Sequence, residues 1–318
     1  MLRAGPLRLP TVAALLIGCM GFAFAQDALK IAVGQRGGWE QGVSELGQNA
    51  GIFKKHGLTL DVLYTQGSGE TLQSVLSASV DVGIGIGTHS VLGAYAKGAP
   101  VRAIGSSFTS ADDQFYYVVA NSPVRDMKDA DGHTIAISTT GSASNIFALA
   151  LAKHFGVTLK PQPTGAYAAT LTQTLTGQVD IGFSQAPFNL NAVDEGRIRV
   201  IAMGRDVPAL RQMTSRLIIA NTAILAQKRA VLVRYMEGFV ETLDWLYSDP
   251  AAIKAYAAWS GLPENVARRA PEFLTKANLD PRHISGLDAI MADAVTFKYL
   301  AAPLSAAQLA EVIQIPLR

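Results

Sequence analysis

Residues 57–83, GLTLDVLYTQGSGETLQSVLSASVDVG, decide the fold of this chain, because residues 156–182, GVTLKPQPTGAYAATLTQTLTGQVDIG, repeat them at an offset of 99 positions. Ten of the 27 positions in this gapless alignment are identical, against roughly two expected from composition. The offset is longer than the roughly 20 to 50 residues of a solenoid repeat. Two α/β lobes of similar build account for it, and the cleft between two lobes is where small molecules bind.

The first 25 residues have the pattern of an export signal. Arg3 and Arg8 precede an apolar run at residues 12–24, and Ala-Phe-Ala at residues 23–25 forms a small-residue cleavage site. We expect a signal peptide at residues 1–25. The sequence Leu-Ile-Gly-Cys that ends at Cys19 resembles a lipoprotein box, so a lipid anchor at Cys19 is the alternative.

Composition excludes several classes of site. Cys19 is the single cysteine, so a mature chain that lacks the leader has no disulfide, cysteine zinc site or thiol nucleophile. The formal charge of +2 comes from 27 basic and 25 acidic residues, and Arg3 and Arg8 leave with the leader. There is no basic stripe typical of nucleic-acid binding. The histidines have no metal-ligand spacing, and the motifs of serine hydrolases, phosphate loops and zinc proteases are missing from the sequence.

Apolar runs and glycine-marked turns predict strands that alternate with helices, and therefore an α/β fold with a largely parallel sheet. We expect strands at residues 29–33, 58–64, 80–86, 101–106, 115–120, 134–137, 157–159, 179–183 and 198–203. We expect helices at residues 44–55, 70–78, 145–155, 168–175 and 223–247, and one that starts at Thr88. Residues 205–318 are interpreted as a return to the first lobe with a helical cap.

Ligands in open α/β sheets bind beyond the carboxyl ends of the strands, which singles out five loops. In these loops Arg36 is suited to pairing with an anion, Trp39 to stacking on an organic group, and His89 to contact with a ligand. Tyr167 occupies the position equivalent to Ser68. The five loops span residues 35–39, 66–69, 87–90, 138–144 and 184–187.

Each of these residues also has a purely structural explanation. Serine and threonine in the loop at residues 138–144 are favoured helix caps, Arg36 fits a solvated loop, and Trp39 fits a core anchor. Asp112 and Asp113 form an acidic pair that we expect to be solvated and without an acid–base role.

A resemblance to a known family is carried by five short stretches, residues 49–58, 76–83, 97–102, 132–137 and 176–182. The chain is similar to the periplasmic solute-binding proteins of ABC importers, in the nitrate, sulfonate and taurine group, over about residues 29 to 205. Relatives have bulky and acidic residues after the second-lobe strand, where this chain has Ser-Gln-Ala-Pro-Phe at residues 184–188. This difference weakens the assignment of any particular relative's ligand to this chain.

The resemblance implies a periplasmic-binding-protein fold of type II, with two lobes, two hinge crossings near residues 108–114 and 204–207, and a helical C-terminal region. Lobe 1 is then residues 27–108 plus 205–318, and lobe 2 is residues 109–204. The ligand-binding residues expected from the resemblance and the loops are Gln35, Arg36, Gly37, Trp39, Ser68, Thr88, His89, Thr140, Gly141, Ser142, Tyr167 and Gln185.

The function implied is that of a periplasmic, non-enzymatic and monomeric receptor. It captures a small solute, an organic anion or a sulfonate- or nitrate-like ion, and delivers it to the permease and ATPase of an ABC importer, without cofactor, metal or nucleic acid. Two alternatives stay open: an enzyme on the same scaffold, of the thiamine-pyrimidine-precursor or lyase type, and a ligand-sensing module. Thiamine-precursor enzymes of this fold use a cysteine-rich motif. A mature chain without cysteine therefore argues against an enzyme of the thiamine-pyrimidine-precursor type.

Overall fold

The computed structural model of this chain describes Met1 and residues 26–317. The predicted signal peptide at residues 1–25 and the alternative anchor at Cys19 therefore lie outside the described residues. Within the described part, every helix is too short or too polar to cross a membrane.

Ten strands and fourteen α-helices are found in the described residues. The strands are β1 (Asp27–Gly34), β2 (Leu58–Thr65), β3 (Val82–Gly87), β4 (Val101–Thr109), β5 (Gln114–Val119), β6 (Thr134–Ile137), β7 (Lys160–Pro163), β8 (Gly182–Gln185), β9 (Ile198–Met203) and β10 (Thr214–Asn221). The helices are α1 (Trp39–Asn49), α2 (Ile52–Lys55), α3 (Ser68–Leu76), α4 (Thr88–Ala96), α5 (Ala143–Phe155), α6 (Tyr167–Leu175), α7 (Leu190–Asp194), α8 (Thr222–Gln227), α9 (Arg229–Ser248), α10 (Pro250–Ser260), α11 (Glu264–Ala267), α12 (Ala270–Phe273), α13 (Leu287–Thr296) and α14 (Ala306–Val312).

The first sheet has five strands in the order β2-β1-β3-β10-β4. Strand β1 pairs in parallel with β2 and β3, whereas β10 runs antiparallel to both of its neighbours, β3 and β4. Helices α1, α9 and α10 cover one face, where Trp39, Phe53 and Tyr235 are fully buried. Helices α3 and α4 cover the other face.

The second sheet lies in the middle of the chain. Strand β5 is its centre and pairs antiparallel with β8 and β9. A parallel pair, β6 and β7, is joined to it by a bridge between Ile135 and Ile181. Helix α5 buries Phe147 and Leu151 in the core on this side. The chain passes from the first sheet to the second through residues 110–113, and returns through residues 204–213.

The repeat predicted from sequence is present in the structure. Helix α3 spans residues 68–76 and α6 spans residues 167–175, which is the same nine-residue element shifted by 99 positions. Most other predicted elements are confirmed, with ends that differ by at most three residues. The predicted boundaries of the two lobes stay a prediction.

Two predicted helices are wrong in extent. Helix α1 begins at Trp39, not at Ser44. The predicted helix is interrupted after α1 at Gly51, whose φ of +77° lies in the left-handed region. Lys228 divides the helix expected at residues 223–247 into α8 and α9. Because α1 starts early, Trp39 belongs to a helix and not to a loop.

Three strand predictions need correction. Strand β10 was not expected, although all eight of its residues are buried in the first sheet. The strand expected at residues 157–159 lies instead at Lys160–Pro163, where two prolines without N–H groups are tolerated at the free edge of the β6–β7 pair. The largely parallel sheet is also wrong as a description of the whole, since β10 and the β5, β8 and β9 strands pair antiparallel.

Candidate ligand-binding site

A polar cavity of about 40 Å³ lies between the first and the second sheet. One water needs roughly 10–15 Å³ of such volume, so the cavity has room for a few water-sized groups. Loops after β1, β2 and β6 reach it, together with the start of α6. Its lining residues are Gly34, Gln35, Gln41, Gly67, Ser68, Gly85, Gln114, Ser138, Ser142, Ala143, Ser144, Tyr167, Phe183, Gln185 and Arg216.

The internal repeat explains why two of these loops meet at the cavity. The Thr65 and Thr71 hydroxyl oxygens lie 2.7 Å apart, and so do those of Thr164 and Thr170. These buried pairs hold the turn that leads into α3 and the turn that leads into α6. The first residues of the two helices, which the repeat makes equivalent, therefore both line the cavity.

Gln35 connects the loop after β1 to the opposite side of the cavity. Its φ of +74° turns the backbone, and its N–H donates to the Thr65 carbonyl oxygen at 3.0 Å. Its Oε1 accepts a hydrogen bond of 3.0 Å from the Tyr167 N–H. A side chain from the first sheet thus satisfies the first amide of α6, which would otherwise lack a partner.

Two buried glutamines meet from opposite sides of the cavity. Gln185 Oε1 accepts a hydrogen bond of 2.5 Å from the Tyr167 hydroxyl and one of 3.4 Å from Gln41 Nε2. Gln41 Oε1 and Gln185 Nε2 have no partner among the described residues, although both side chains are buried. Burial raises the pKa of Tyr167 far above its ordinary value, so its hydroxyl stays protonated and able to donate. Unpartnered buried polar atoms at a cavity wall are suited to a ligand.

The serine-rich loop at residues 138–144 caps α5 and also lines the cavity. Ser142 Oγ accepts a hydrogen bond from the Asn145 N–H at 3.2 Å, and Ser144 Oγ accepts one from the Ser138 N–H at 2.9 Å. The Gly141 N–H donates to Asn145 Oδ1 at 3.0 Å. The capping role and the cavity-lining role thus coexist in Ser142.

A buried ion cluster stands at the wall that β10 contributes. Arg216 is 4% exposed and lies within 2.8 Å of Glu40 Oε2 through two of its nitrogens. Its Nη2 also lies 2.5 Å from Asp113 Oδ2. Both carboxylates are fully buried, and Ser107 donates a further hydrogen bond to Glu40. Asp113 Oδ1 has no partner among the described residues.

The pKa of Asp113 is displaced upwards in this cluster. Burial raises the pKa of its carboxyl to about 6; Arg216 counteracts this rise, and Glu40 adds to it. The expectation that the Asp112–Asp113 pair is solvated is therefore wrong for Asp113. The link between β4 and β5 is short, and it directs this side chain inward against Arg216.

Arg36 and Trp39 do not line the cavity. The Arg36 guanidinium is 54% exposed and lies 5.7 Å and 5.5 Å from the ring centres of Tyr64 and Trp259 on the outer surface. Trp39 is fully buried, and its Nε1–H donates to the Tyr247 hydroxyl at 3.0 Å. The early start of α1 turns Trp39 into the core.

Gly37, Thr88 and His89 are also held by contacts within the protein. The Gly37 carbonyl accepts a hydrogen bond from the Tyr256 hydroxyl at 2.8 Å, and the Thr88 hydroxyl donates to the Thr214 carbonyl at 2.7 Å. His89 is 1% exposed, and burial lowers its pKa to about 4. None of the three is among the described residues that line the cavity.

Thr140 and Gly141 lie on the far side of the same loop. Thr140 is exposed and borders a surface groove beside α4. The Gly141 carbonyl accepts a hydrogen bond of 2.8 Å from Ser90 Oγ on α4. Gly141 thus connects the two sides of the molecule, and neither residue lines the cavity.

The structure thus brings five of the twelve predicted site residues to one cavity, and a role of any of them in ligand binding stays a prediction. They are Gln35, Ser68, Ser142, Tyr167 and Gln185.

Among the lining residues that sequence reasoning missed, three outside the five predicted loops have polar side chains: Gln41, Gln114 and Arg216. For Arg216 a signal existed, because a single charge within the apolar run of β10 indicates a buried, paired charge. The two glutamines carry no comparable signal. Among the described residues there is no group of three or more His, Cys, Asp or Glu side chains that would hold a metal.

Comparison with known proteins identifies relatives of this chain. A family model described as NMT1/THI5 like matches residues 46–253. A protein of Aspergillus parasiticus named 4-amino-5-hydroxymethyl-2-methylpyrimidine phosphate synthase is 24% identical over 218 residues. The matched region is 65% of this chain and 63% of that relative, so it spans less than two thirds of the relative's length.

Solved structures share the architecture. The alkanesulfonate-binding protein SsuA from Xanthomonas axonopodis pv. citri, bound to MOPS, superimposes with a TM-score of 0.76 at 20% identity, covering 92% of this chain and 99% of that one. The periplasmic aliphatic sulphonate binding protein SsuA from Escherichia coli gives 0.70 at 18% identity, with 91% and 92% covered. The α/β fold described above is therefore the two-lobed periplasmic-binding-protein fold.

Proposed function

The chain belongs to the NMT1/THI5-like family, and on that premise we propose that it is an exported receptor that captures a small solute between its two lobes. The observation that carries the proposal is the convergence of buried polar side chains from both sheets on one cavity. Gln41 and Arg216 come from the first sheet and the helix packed on it, and Gln114 and Gln185 come from the second sheet. A concave site with a few convergent polar groups between two units is the usual form of a small-molecule site.

Contacts between the two lobes support a mechanism in which the lobes close on the solute. Gln35 contacts Tyr167, Gln41 contacts Gln185, and Ser90 contacts Gly141. All three contacts are lost when the lobes separate about the two links. A solute that contacts both lobes then stabilises the closed state, because it binds that state better than the open one.

We further propose that the receptor acts in the periplasm as a monomer and delivers its solute to the permease and ATPase of an ABC importer. The export pattern at residues 1–25 supports the location. The fold shared with the periplasmic SsuA of Escherichia coli is consistent with this location. Recovery of the mature protein from the periplasmic fraction tests the location, and solute-dependent stimulation of the reconstituted importer's ATPase tests the delivery.

An enzyme on the same scaffold is the second candidate. The name of the Aspergillus parasiticus relative, a pyrimidine phosphate synthase, favours it. A receptor returns its solute unchanged, whereas an enzyme converts it. Mass spectrometry of a bound compound after prolonged incubation with the purified protein therefore separates the two.

A thermal-shift screen tests the receptor function. The purified protein is screened against sulfonates, nitrate, carboxylates, amines, amidines and pyrimidines. A ligand at a hundred times its Kd stabilises the folded state by about 2.7 kcal/mol, which raises Tm by roughly 5 to 10 °C for a chain of this size. Small-angle scattering with the hit should show a smaller radius of gyration. A hit that leaves the radius unchanged would argue against capture by closure.

A further inference from the structure

Arg216 is the single charged residue among the described residues that line the cavity. Its hydrogen bonds to Glu40 and Asp113 are made by Nε and Nη2. Neither of these two acids lines the cavity, so their carboxylates lie behind the guanidinium. The remaining nitrogen, Nη1, has no partner in the described part of the chain and is left to donate to a solute. A guanidinium N–H forms its strongest hydrogen bonds with an oxyanion.

The start of α5 contributes two further donors to the same cavity. The Ala143 and Ser144 N–H groups have no acceptor among the described residues, and both residues line the cavity. These two amides belong to the first turn of a helix of 13 residues. The positive end of the helix dipole and the unpaired N–H groups together favour an anion there.

Gln185 supplies a donor that is independent of the helix. Its side chain is 1% exposed and lines the cavity, and its Nε2 has no partner in the part of the chain that the structure describes. The unpartnered Oε1 atoms of Gln41 and Gln114 do not oppose an anion, because each of these side chains also carries an NH2 group and can present it after rotation. A cavity of about 40 Å³ is narrow, so one acidic group in it reaches donors on both sides.

An anion in this cavity is the third negative charge around one guanidinium. Glu40 is held through both of its oxygens, Oε2 by Arg216 and Oε1 by Ser107. Asp113 is held by Arg216 through Oδ2, whereas its Oδ1 has no partner among the described residues. A proton on Asp113 Oδ1 therefore removes the excess charge without breaking a hydrogen bond.

Few titratable groups lie within electrostatic reach of Asp113. They are Arg216 on β10, Glu40 on α1 and Tyr167 on α6. Arg216 stays protonated, and burial keeps the pKa of Tyr167 far above its ordinary value. The pKa of Asp113 is about 6 before a solute adds its own charge. A nearby anion raises this pKa further, because a second negative charge disfavours the ionised carboxyl.

We propose that the receptor captures a small anion together with one proton: the acidic group of the solute binds between Arg216 Nη1 and the first amides of α5, and Asp113 takes up the proton. The proton comes from the solvent, forms the O–H bond at Oδ1 and returns to the solvent when the solute leaves. This inference rests on the proposed receptor function. It keeps the anionic class expected from the sequence, but the cation is Arg216 and not Arg36, which lies on the outer surface.

Calorimetry with small probes tests the anion site. Acetate, methanesulfonate and nitrate are titrated at about pH 6, alongside acetamide and acetamidinium, which share the outline of acetate but are neutral and cationic. We expect at least one anion to bind, and to do so at least about tenfold more tightly than acetamide or acetamidinium. If no anion binds, or if either control binds as tightly, the inference is wrong. The receptor function is then decided separately by the other solute classes of the thermal-shift screen.

The wild-type protein also tests the proton. Uptake at Asp113 makes the Kd of the anion rise by up to about tenfold per pH unit above about pH 6. Enthalpies measured in Bis-Tris and in Tris, two cationic buffers of different ionisation enthalpy, give the number of protons taken up, which should approach one per anion at about pH 7. A Kd that is constant between about pH 6 and 8, or an enthalpy that is the same in both buffers, would overturn the inference while the receptor function stands.

A pair of variants assigns the proton to one residue. Asp113→Asn keeps the side-chain volume but cannot titrate, so its affinity for the anion should be independent of pH and exceed that of the wild type at least about tenfold at about pH 8. Asp112→Asn removes the neighbouring carboxylate, which lies outside the cluster, and should keep the pH dependence of the wild type. If Asp113→Asn lowers Tm but keeps that pH dependence, the role of Asp113 is structural and the inference is wrong.

Discussion

Arg216 Nη2 lies 2.5 Å from Asp113 Oδ2, and this ion pair joins β10 of the first sheet to the link that enters the second. The same guanidinium contacts Glu40 on α1. One side chain therefore connects a central strand, a helix and a crossing segment at the wall of the cavity. The integrity of the cavity depends on this arginine, whichever solute binds there.

Replacement of Arg216 by methionine should strongly destabilise the protein. Without the guanidinium, Glu40 and Asp113 are left buried with no counter-charge, a situation that typically reduces stability by about 3–5 kcal/mol. Urea unfolding measures the loss. Arg36→Met is the matched control, because its guanidinium is largely exposed and its ion pair should contribute less than about 1 kcal/mol. Equal effects of the two variants would contradict this assignment.

Asp113 should make the protein less stable as the pH rises. Its pKa is about 6 in the folded protein and near 3.8 when unfolded. Between these values the folded state binds more protons, so this contribution to stability falls with rising pH and reaches its minimum above about pH 6. The loss is of the order of 2–3 kcal/mol. We expect the free energy of unfolding of the wild type, minus that of Asp113→Asn, to decline between about pH 4 and 7; a flat difference would show that Asp113 titrates normally.

His89 should have the opposite effect on stability. Burial lowers its pKa from 6.5 to about 4, so between these values the unfolded state binds more protons. Stability therefore falls as the pH drops from about 6.5 towards 4, by roughly 3 kcal/mol. His89→Leu removes the titrating group, and its unfolding free energy should lose this part of the pH dependence. An unchanged pH profile in the variant would mean that another group is responsible for the acid sensitivity.

The sequence predicts those parts of this molecule that depend on local pattern. Apolar runs place most strands, and the repeat places Ser68 and Tyr167 as equivalents, because Thr65 and Thr164 make the same buried contact in each copy. The position of β10 between β3 and β4 is a long-range pairing that its own residues do not encode.

The distinction between local pattern and long-range pairing also explains which site residues the sequence predicts. Tyr167 and Gln185 follow from strand-end loops, whereas the direction of Trp39 depends on where α1 starts. Arg216 becomes a site residue only because β10 is inserted between β3 and β4 in the first sheet. Its two partners come from distant parts of the chain, so no local spacing predicts the cluster.

A single methyl group at Gly87 should prevent closure of the lobes. A Cβ there would lie 2.6 Å from the Gly141 carbonyl oxygen and 3.1 Å from the Ala143 nitrogen, both backbone atoms on the opposite side of the molecule. The φ of Gly87 is −54°, which alanine adopts without strain. Gly87→Ala should therefore fold with a Tm near that of the wild type, but bind solute at least about tenfold more weakly and show no solute-dependent decrease in radius of gyration.

Gly69→Ala is the matched control for this prediction. The three atoms nearest to its added Cβ would belong to the Thr139 side chain, at 3.3–3.6 Å, which is close to ordinary van der Waals contact. The control should bind and compact like the wild type. If Gly87→Ala also binds and compacts normally, the approach of Gly87 to the start of α5 is not required for capture. The solute would then be held by a cavity that forms without full closure, and the hinge role of the two links would be wrong.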